Sequence, residues 1–247
     1  MDLLDLEKQV ILQNYLKLEK ELAQTLICKL ILLDANTLIG FTKDSSYFTI
    51  DLRQKNTLIQ EEKFPFRILC HDYNENYDTL ALGVKYKKRY SHLNLEMNNL
   101  LMGEYSKSFI ENDIKNHIDA DENFNQNDQI ISIALSKTCK YKALGSLSKI
   151  FIYNKDELEC VLKTHYGHDS KDTFKVNQIR FFPLLEEIFA SAGGDGNLQF
   201  FNEEKRHISK KSISVPPGKK DDVNCFLDVG WNLEASWIYY TKGYDWK

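Results

Sequence analysis

No stretch of this 247-residue chain approaches the roughly 18 to 20 consecutive apolar residues of a membrane-spanning helix, so the sequence predicts a soluble protein. A basic leader is absent too. Met1-Asp-Leu-Leu-Asp-Leu-Glu-Lys8 puts acidic groups where a secretory signal carries basic ones, and export is not expected. Charge of one sign does not dominate: 32 Lys and Arg against 36 Asp and Glu leave a formal net charge of −4, which excludes a whole-surface nucleic-acid field and leaves room for local patches. The five cysteines are odd in number and scattered, which argues against a disulfide frame; Cys28, Cys70 and Cys225 fall inside apolar runs and read as reduced core side chains. Catalytic constellations are missing as well. His165 and His168 with Cys160 have loosely metal-like spacing but no second ligand pair. Gly193-Gly-Asp-Gly196 lies between strand-like runs, without the helix N-terminus of a phosphate loop. Glu186-Glu187 and Asp221-Asp222 are adjacent carboxylates that point apart on an extended backbone, and Cys139 and Cys160 have no evident general base. The residues argue for no enzyme, no cofactor and no metal.

What is present is alternation, repeated. Val176-Asn-Gln-Ile-Arg-Phe-Phe-Pro183 and Ile188-Phe-Ala-Ser-Ala-Gly-Gly-Asp-Gly-Asn-Leu-Gln-Phe-Phe-Asn202 form three short apolar-alternating runs, the last two joined by a Gly-Asp-Gly turn. Gly194, Asp195 and Gly196 are expected to supply the positive φ of a tight hairpin. Residues 143–154 lie over 191–202 without a gap at a period of 48 residues, both ending on an aromatic residue and asparagine. Weaker copies occur at Leu80–Leu95, at Leu38–Leu52 and from Trp237. Ahead of each copy runs another apolar segment, starting at Ile27, Phe66, Ile130, Val176 and Val223. These starts lie 39, 64, 46 and 47 residues apart, close to the roughly 40 to 45 of a WD-type blade except at one long interval. A single blade cannot bury both of its faces, whereas radial repetition hides the edges of such short antiparallel sheets. The predicted fold is therefore all-β, a WD-repeat β-propeller with about five recognisable blades, read as one domain over 1–247 with an insertion at 97–128.

Three stretches depart from the pattern. Residues 1–26 lack Gly and Pro; 8–16 read as an outer strand and 17–24 as a loop or helical turn. In the insertion, Leu100, Leu101, Tyr105, Phe109 and Ile110 have partly helical spacing, and 119–128 is acidic and Asn-rich. Residues 213–222 form a Pro-Gly loop. Two basic patches stand out: Lys85-Tyr-Lys-Lys-Arg89, with an aromatic among its cations as in phosphate contact plus stacking, and Lys205-Arg-His-Ile-Ser-Lys-Lys211.

Four fragments carry a resemblance. Lys163-Thr-His165 precedes the fourth blade, Val176–Pro183 and Phe189–Phe201 form its strands, and Gly243-Tyr-Asp-Trp246 follows a later second strand. Together they resemble the nuclear-pore mRNA export factor family of WD-repeat proteins, sister to the BUB-type spindle-checkpoint propellers. The resemblance implies a seven-bladed ring, of which this chain is expected to be an incomplete, truncated version; a smaller closed ring and an open arc are the other readings. It also implies docking of a nucleoporin peptide and a place at the nuclear pore, in the nucleus and also the cytoplasm, with weak RNA contact. Phe201-Asn202 stands where the family has Trp-Asp, which on this reading keeps the aromatic packing and loses the carboxylate of the blade hydrogen-bond network. Tyr166 replaces an arginine that meets the partner peptide. The expected partner-binding residues are Phe201, Arg206, Lys210 and Lys211; the expected nucleic-acid contacts are Lys85, Lys87, Lys88 and Arg89. A mitotic-checkpoint or ubiquitin-ligase adaptor, and a truncated non-functional remnant, are the alternatives.

Overall fold

The computed structural model of the chain describes residues 27–33, 35–42, 45–53, 58–101, 128–165, 173–202, 224–231 and 238–244. The strand expected at 8–16, most of the insertion and the 213–222 loop lie outside them. Five antiparallel sheets follow one another along the sequence, four of them simple meanders and the last a two-stranded pair. The first holds β1 (Ile27–Leu32), β2 (Thr37–Thr42), β3 (Ser46–Asp51) and β4 (Leu58–Lys63). The second holds β5 (Arg67–Asn74), β6 (Thr79–Tyr86) and β7 (Arg89–Glu96), followed by a short helix α1 (Met97–Leu101). The third holds β8 (Ser132–Leu135), β9 (Tyr141–Gly145), β10 (Lys149–Asn154) and β11 (Glu157–Lys163). The fourth holds β12 (Val176–Phe181), β13 (Ile188–Gly193) and β14 (Leu198–Asn202), and the fifth β15 (Asn224–Trp231) and β16 (Ile238–Tyr244). The described residues cluster in two compact units, one up to Ile68 and one from Leu69 onward.

In the first unit, Ile39, Phe41, Tyr47, Phe48 and Ile50 are buried, and every position of β3 is inaccessible. An aromatic ladder closes it: Tyr47 to Phe64 and Phe64 to Phe66 each measure 5.0 Å between ring centroids. The Ser45 hydroxyl accepts from the Ile68 amide at 3.2 Å.

In the second unit the alternation of the sequence is divided between two interfaces. On the third sheet Ala134, Tyr141, Ala143, Ile150 and Ile152 point to one side, where Val176, Ile179, Phe189 and Phe201 of the fourth sheet meet them. Their neighbours Ile133, Leu135, Leu144, Phe151 and Tyr153 point to the other side and pack with Ala81 of the second sheet and with Ile130. The fourth sheet does the same, sending Phe189 and Phe201 back and Ala190, Ala192 and Leu198 forward to Val229 of the fifth. Period-two side-chain geometry explains why these strands read as continuous apolar runs: both faces are covered. Each large apolar side chain so buried contributes about 1.5–3 kcal/mol. The first strands lie side by side, β12 between β8 and β15.

Two local expectations need correction. Of the three turn residues 194–196, only Gly196 has positive φ, at 73°. Apart from the outer strand expected at 8–16, fourth strands were not singled out, yet β4 and β11 close their sheets. On β11, Glu157, Glu159, Val161 and Lys163 face solvent while Leu158, Cys160 and Leu162 turn inward.

Candidate functional site

The connection from β11 to β12 begins Thr164-His165, and His165 takes a left-handed backbone, φ 53°. That conformation turns its ring under the fourth sheet, where it is 0% exposed. Its Nδ1 lies 2.8 Å from Asp195 Oδ1, in the β13–β14 turn, and its Nε2 lies 2.7 Å from Ser191 Oγ on β13. With Nδ1–H donating to the carboxylate, Nε2 accepts from the Ser191 hydroxyl. Asp195 also accepts from the Asn197 amide at 3.1 Å and from Asn197 Nδ2 at 2.9 Å. Burial raises the Asp195 pKa, but the hydrogen bond and charge of His165 and the two bonds from Asn197 outweigh it, so the carboxyl is held below its ordinary value. Gly193 makes the fit possible, because a Cβ there would fall on His165 Nδ1 and Asp195 Oδ1.

The order Ser–His–Asp has the polarity of a hydrolytic triad, but Ser191 and His165 are fully buried and no substrate reaches the hydroxyl. The three side chains instead pin the incoming connection to the fourth sheet. The expected loss of the network's carboxylate at Asn202 is thus overturned. The carboxylate comes from the turn, through Asp195.

Further bonds hold both ends of these sheets. At the end carrying the β9–β10 and β13–β14 turns, the Ser148 hydroxyl donates to the His165 carbonyl at 2.8 Å and accepts from the Phe174 amide at 2.9 Å. The Val176 amide donates to the Ser146 carbonyl, and the Gly194 amide to the Lys175 carbonyl. At the opposite end the β8–β9 turn is gripped from both sides. Asn74 Nδ2 donates to the Ser136 and Lys137 carbonyls at 3.0 and 2.9 Å. From the β12–β13 loop, Glu186 accepts from the Ser136 hydroxyl at 2.6 Å and from the Thr138 amide and hydroxyl at 2.7 and 2.8 Å. Asp72 on β5 accepts from the Leu135 amide at 2.8 Å and from Arg180 Nη1 at 3.1 Å.

Against this frame the expected site residues separate. Phe201 is a core group: it is 2% exposed and stacks on Phe189 at 4.9 Å, so its ring is not offered to a partner. Arg206, Lys210 and Lys211 lie outside the described residues, as do Tyr166 and His168. Lys85, Lys87, Lys88 and Arg89 come together at the β6–β7 hairpin, at the end of the sheets that also carries the β9–β10 and β13–β14 turns. Tyr86 pairs with Arg89 and Lys85 with Tyr90, leaving Lys87-Lys88 as the turn. Lys87, Lys88 and Arg89 are exposed.

Cys70 is packed against the core, and burial pushes its thiol far above the ordinary value; burial also raises Cys139. Among the described residues no group of three or more His, Cys, Asp or Glu could hold a metal ion. The sequence reading missed the His165–Asp195–Ser191 network and the Asn74, Asp72 and Glu186 clamps. The only signal for the former was the Lys163-Thr-His165 fragment.

No helix among the described residues is long and apolar enough to cross a membrane. No protein-family model matches the chain, and no curated protein matches it. Solved structures do match. A chain of "COPII on membranes, outer coat vertex" aligns with a TM-score of 0.58 at 12% identity, over 83% of this chain and 53% of that one. A chain of "The structure of the COPII coat assembled on membranes" aligns with the same score and identity over 83% of this chain and 29% of the other. The chain thus spans about half or less of the length of these neighbours. In all, 1071 solved chains share a likeness of this kind, so the likeness selects an architecture and no single activity. With the five antiparallel sheets, it shows an all-β fold of the WD-repeat-like propeller type.

Proposed function

We propose that the chain is a non-enzymatic propeller platform that docks a peptide segment of a partner protein, and that, as its resemblance to the mRNA export factors implies, the partner is a nucleoporin at the nuclear pore. The observation that carries the platform reading is the locked end of the second unit. Ser148, His165, Ser191 and Asp195 tie turns and connection together with buried hydrogen bonds, and such a rigid frame presents its loops at little cost in conformational entropy. Affinity purification of the full chain with mass spectrometry tests the partner: nucleoporins are expected. Recovery of kinetochore, ubiquitin-ligase or vesicle-coat subunits in their place would overturn the nuclear-pore assignment. Replacing Arg206 and Lys210 with glutamate is expected to weaken capture, and undiminished capture would remove those residues from the interface.

A further inference from the structure

Seven large apolar side chains stand exposed among the described residues. Leu30 and Leu32 belong to the first unit, and Leu147 and Val161 stand singly on the third sheet, where isolated apolar side chains are ordinary. The remaining three gather at the end of the second unit that carries the β8–β9 turn. Leu184 and Leu185, adjacent in the β12–β13 loop, are 60% and 50% exposed, and Tyr77, between β5 and β6, is 51% exposed.

These side chains are carried on fastened chain. Ahead of the leucines the Phe182 ring meets Trp231 edge-on at 4.9 Å, and its amide donates to the Ile188 carbonyl at 2.7 Å. Behind them Glu186 grips the β8–β9 turn through Ser136 and Thr138. Asn74 grips the same turn from its other side, immediately before the single 3-10 turn Glu75–Tyr77. The leucine pair is thus held in water by a frame already ordered, and covering it costs little further conformational entropy. Apolar side chains grouped and fixed in this way mark a surface that another molecule covers.

The charges around the leucines say which molecule. Lys137 is exposed in the β8–β9 turn, between the two residues that Glu186 holds; Glu187 adjoins that clamp, and Glu75 is exposed beside Asn74 on the other side. None of the three enters an ion pair among the described residues. One cation flanked by two carboxylate-bearing loops is complementary to itself. A two-fold rotation brings leucine to leucine and sets the lysine of each copy toward carboxylates of the other. We propose that this end of the second unit is the contact of a two-fold self-association, in which Leu184 and Leu185 pack on the same residues of a second copy and Lys137 faces that copy's acidic side chains. Three side chains fall well short of the roughly 800 Å² per partner of a stable interface, so the association is weak and reversible, with a Kd of about 10–100 µM. It leaves the opposite end, which carries the His165 network, open to a partner protein and does not depend on the platform reading.

Sedimentation equilibrium of the full chain over about 1–300 µM tests the proposal, and the mass is expected to rise from one chain toward two. Leu184→Ser with Leu185→Ser should raise Kd at least about tenfold, with the melting temperature unchanged because neither side chain is in the core. Lys137→Glu, and separately Glu75→Lys with Glu187→Lys, should each raise Kd about tenfold, and an equimolar mixture of these two variants should recover the association. A single-chain mass at every concentration would overturn the proposal and leave the leucines to the cleft of a different protein. A mass climbing past two chains, association that survives the serine changes, or a mixture that fails to recover it would overturn it as well.

Discussion

Asp195→Ala removes the one carboxylate that orients His165, and the cost can be worked from the bonds lost. His165 Nδ1 is left without its acceptor in a site that is 0% exposed, and the Asn197 amide and side chain each lose a partner. Net hydrogen bonds to charged groups contribute about 1.5–3 kcal/mol, and breaking a buried pair costs about 3–5 kcal/mol. Because the turn is partly open to water, about 3 kcal/mol is the expected loss. For a chain of this size that lowers the melting temperature by roughly 6–12 °C. Urea unfolding followed by tryptophan fluorescence reads the same loss as a shift in midpoint with little change in slope. Ser191→Ala, which removes only the partner of Nε2, should cost about 1–2 kcal/mol. Since both changes act through one imidazole ring, the double mutant should lose less than the sum by at least about 0.5 kcal/mol. A loss below about 0.5 kcal/mol for Asp195→Ala, or strict additivity in the cycle, would refute the claim that these side chains act as one buried unit.

Acid titration supplies a related prediction. The Asp195 carboxyl is held below its ordinary value, so its contribution is fully present above about pH 4 and is lost as the pH falls through the folded-state pKa. Melting curves of the parent chain and Asp195→Asn should therefore differ at neutral pH and converge in acid; a constant gap would contradict the linkage. The buried Cys70 thiol, raised by desolvation, should resist alkylation in the native chain at pH 8 and react only after denaturation, as peptide mapping of the labelled protein will show. Gly193→Ala should destabilise by about 2–3 kcal/mol, as its Cβ displaces the His165 ring, and an unaltered urea midpoint would sink that account. Lys87→Gly and Lys155→Gly should each stabilise by about 0.5–1 kcal/mol by relieving a left-handed backbone, measurable as a raised melting temperature.

The third and fourth sheets were legible because both of their faces are covered. Apolar runs starting at Ile27, Phe66, Ile130, Val176 and Val223 correspond to strands starting at Ile27, Arg67, Ser132, Val176 and Asn224. An amphipathic surface strand would have left a weaker trace. The polar network was hidden for the converse reason: its partners come from the β11–β12 connection, mid-β13 and the β13–β14 turn, and nothing local says that His165 faces inward. The carboxylate was sought at Asn202, one residue after the aromatic, when the turn seven residues earlier supplies it. Phe201 shows the limit of an aromatic at a strand end, which reads alike whether it packs behind the sheet or projects from it. The Lys85–Arg89 tip was visible because its charges are contiguous, but the placing of Lys87 over the Tyr86 ring and Lys85 over the Tyr90 ring depends on rotamers and cross-strand register.

The turns link the composition to the stiffness of the frame. Among the described residues one glycine, Gly196, takes positive φ, against seven others: Ser45, Asp78, Lys87, Cys139, Ser148, Lys155 and His165. At about 1–2 kcal/mol each, their summed strain is of the same order as the roughly 5–15 kcal/mol net stability of a domain, so it must be offset locally. At Ser45, Asp78, Ser148 and His165 the offset is visible, because each side chain bonds to backbone or side-chain groups well away along the chain. A glycine would relax the backbone there and delete the bond. Using side-chain-bearing residues in left-handed turns thus fastens each turn to its surroundings, which suits a frame whose loops must hold still to bind. Lys87 and Lys155 make no such anchoring side-chain hydrogen bond among those described. Their strain is not offset in this way, so these are the two turns where a glycine relaxes the backbone without deleting a described bond.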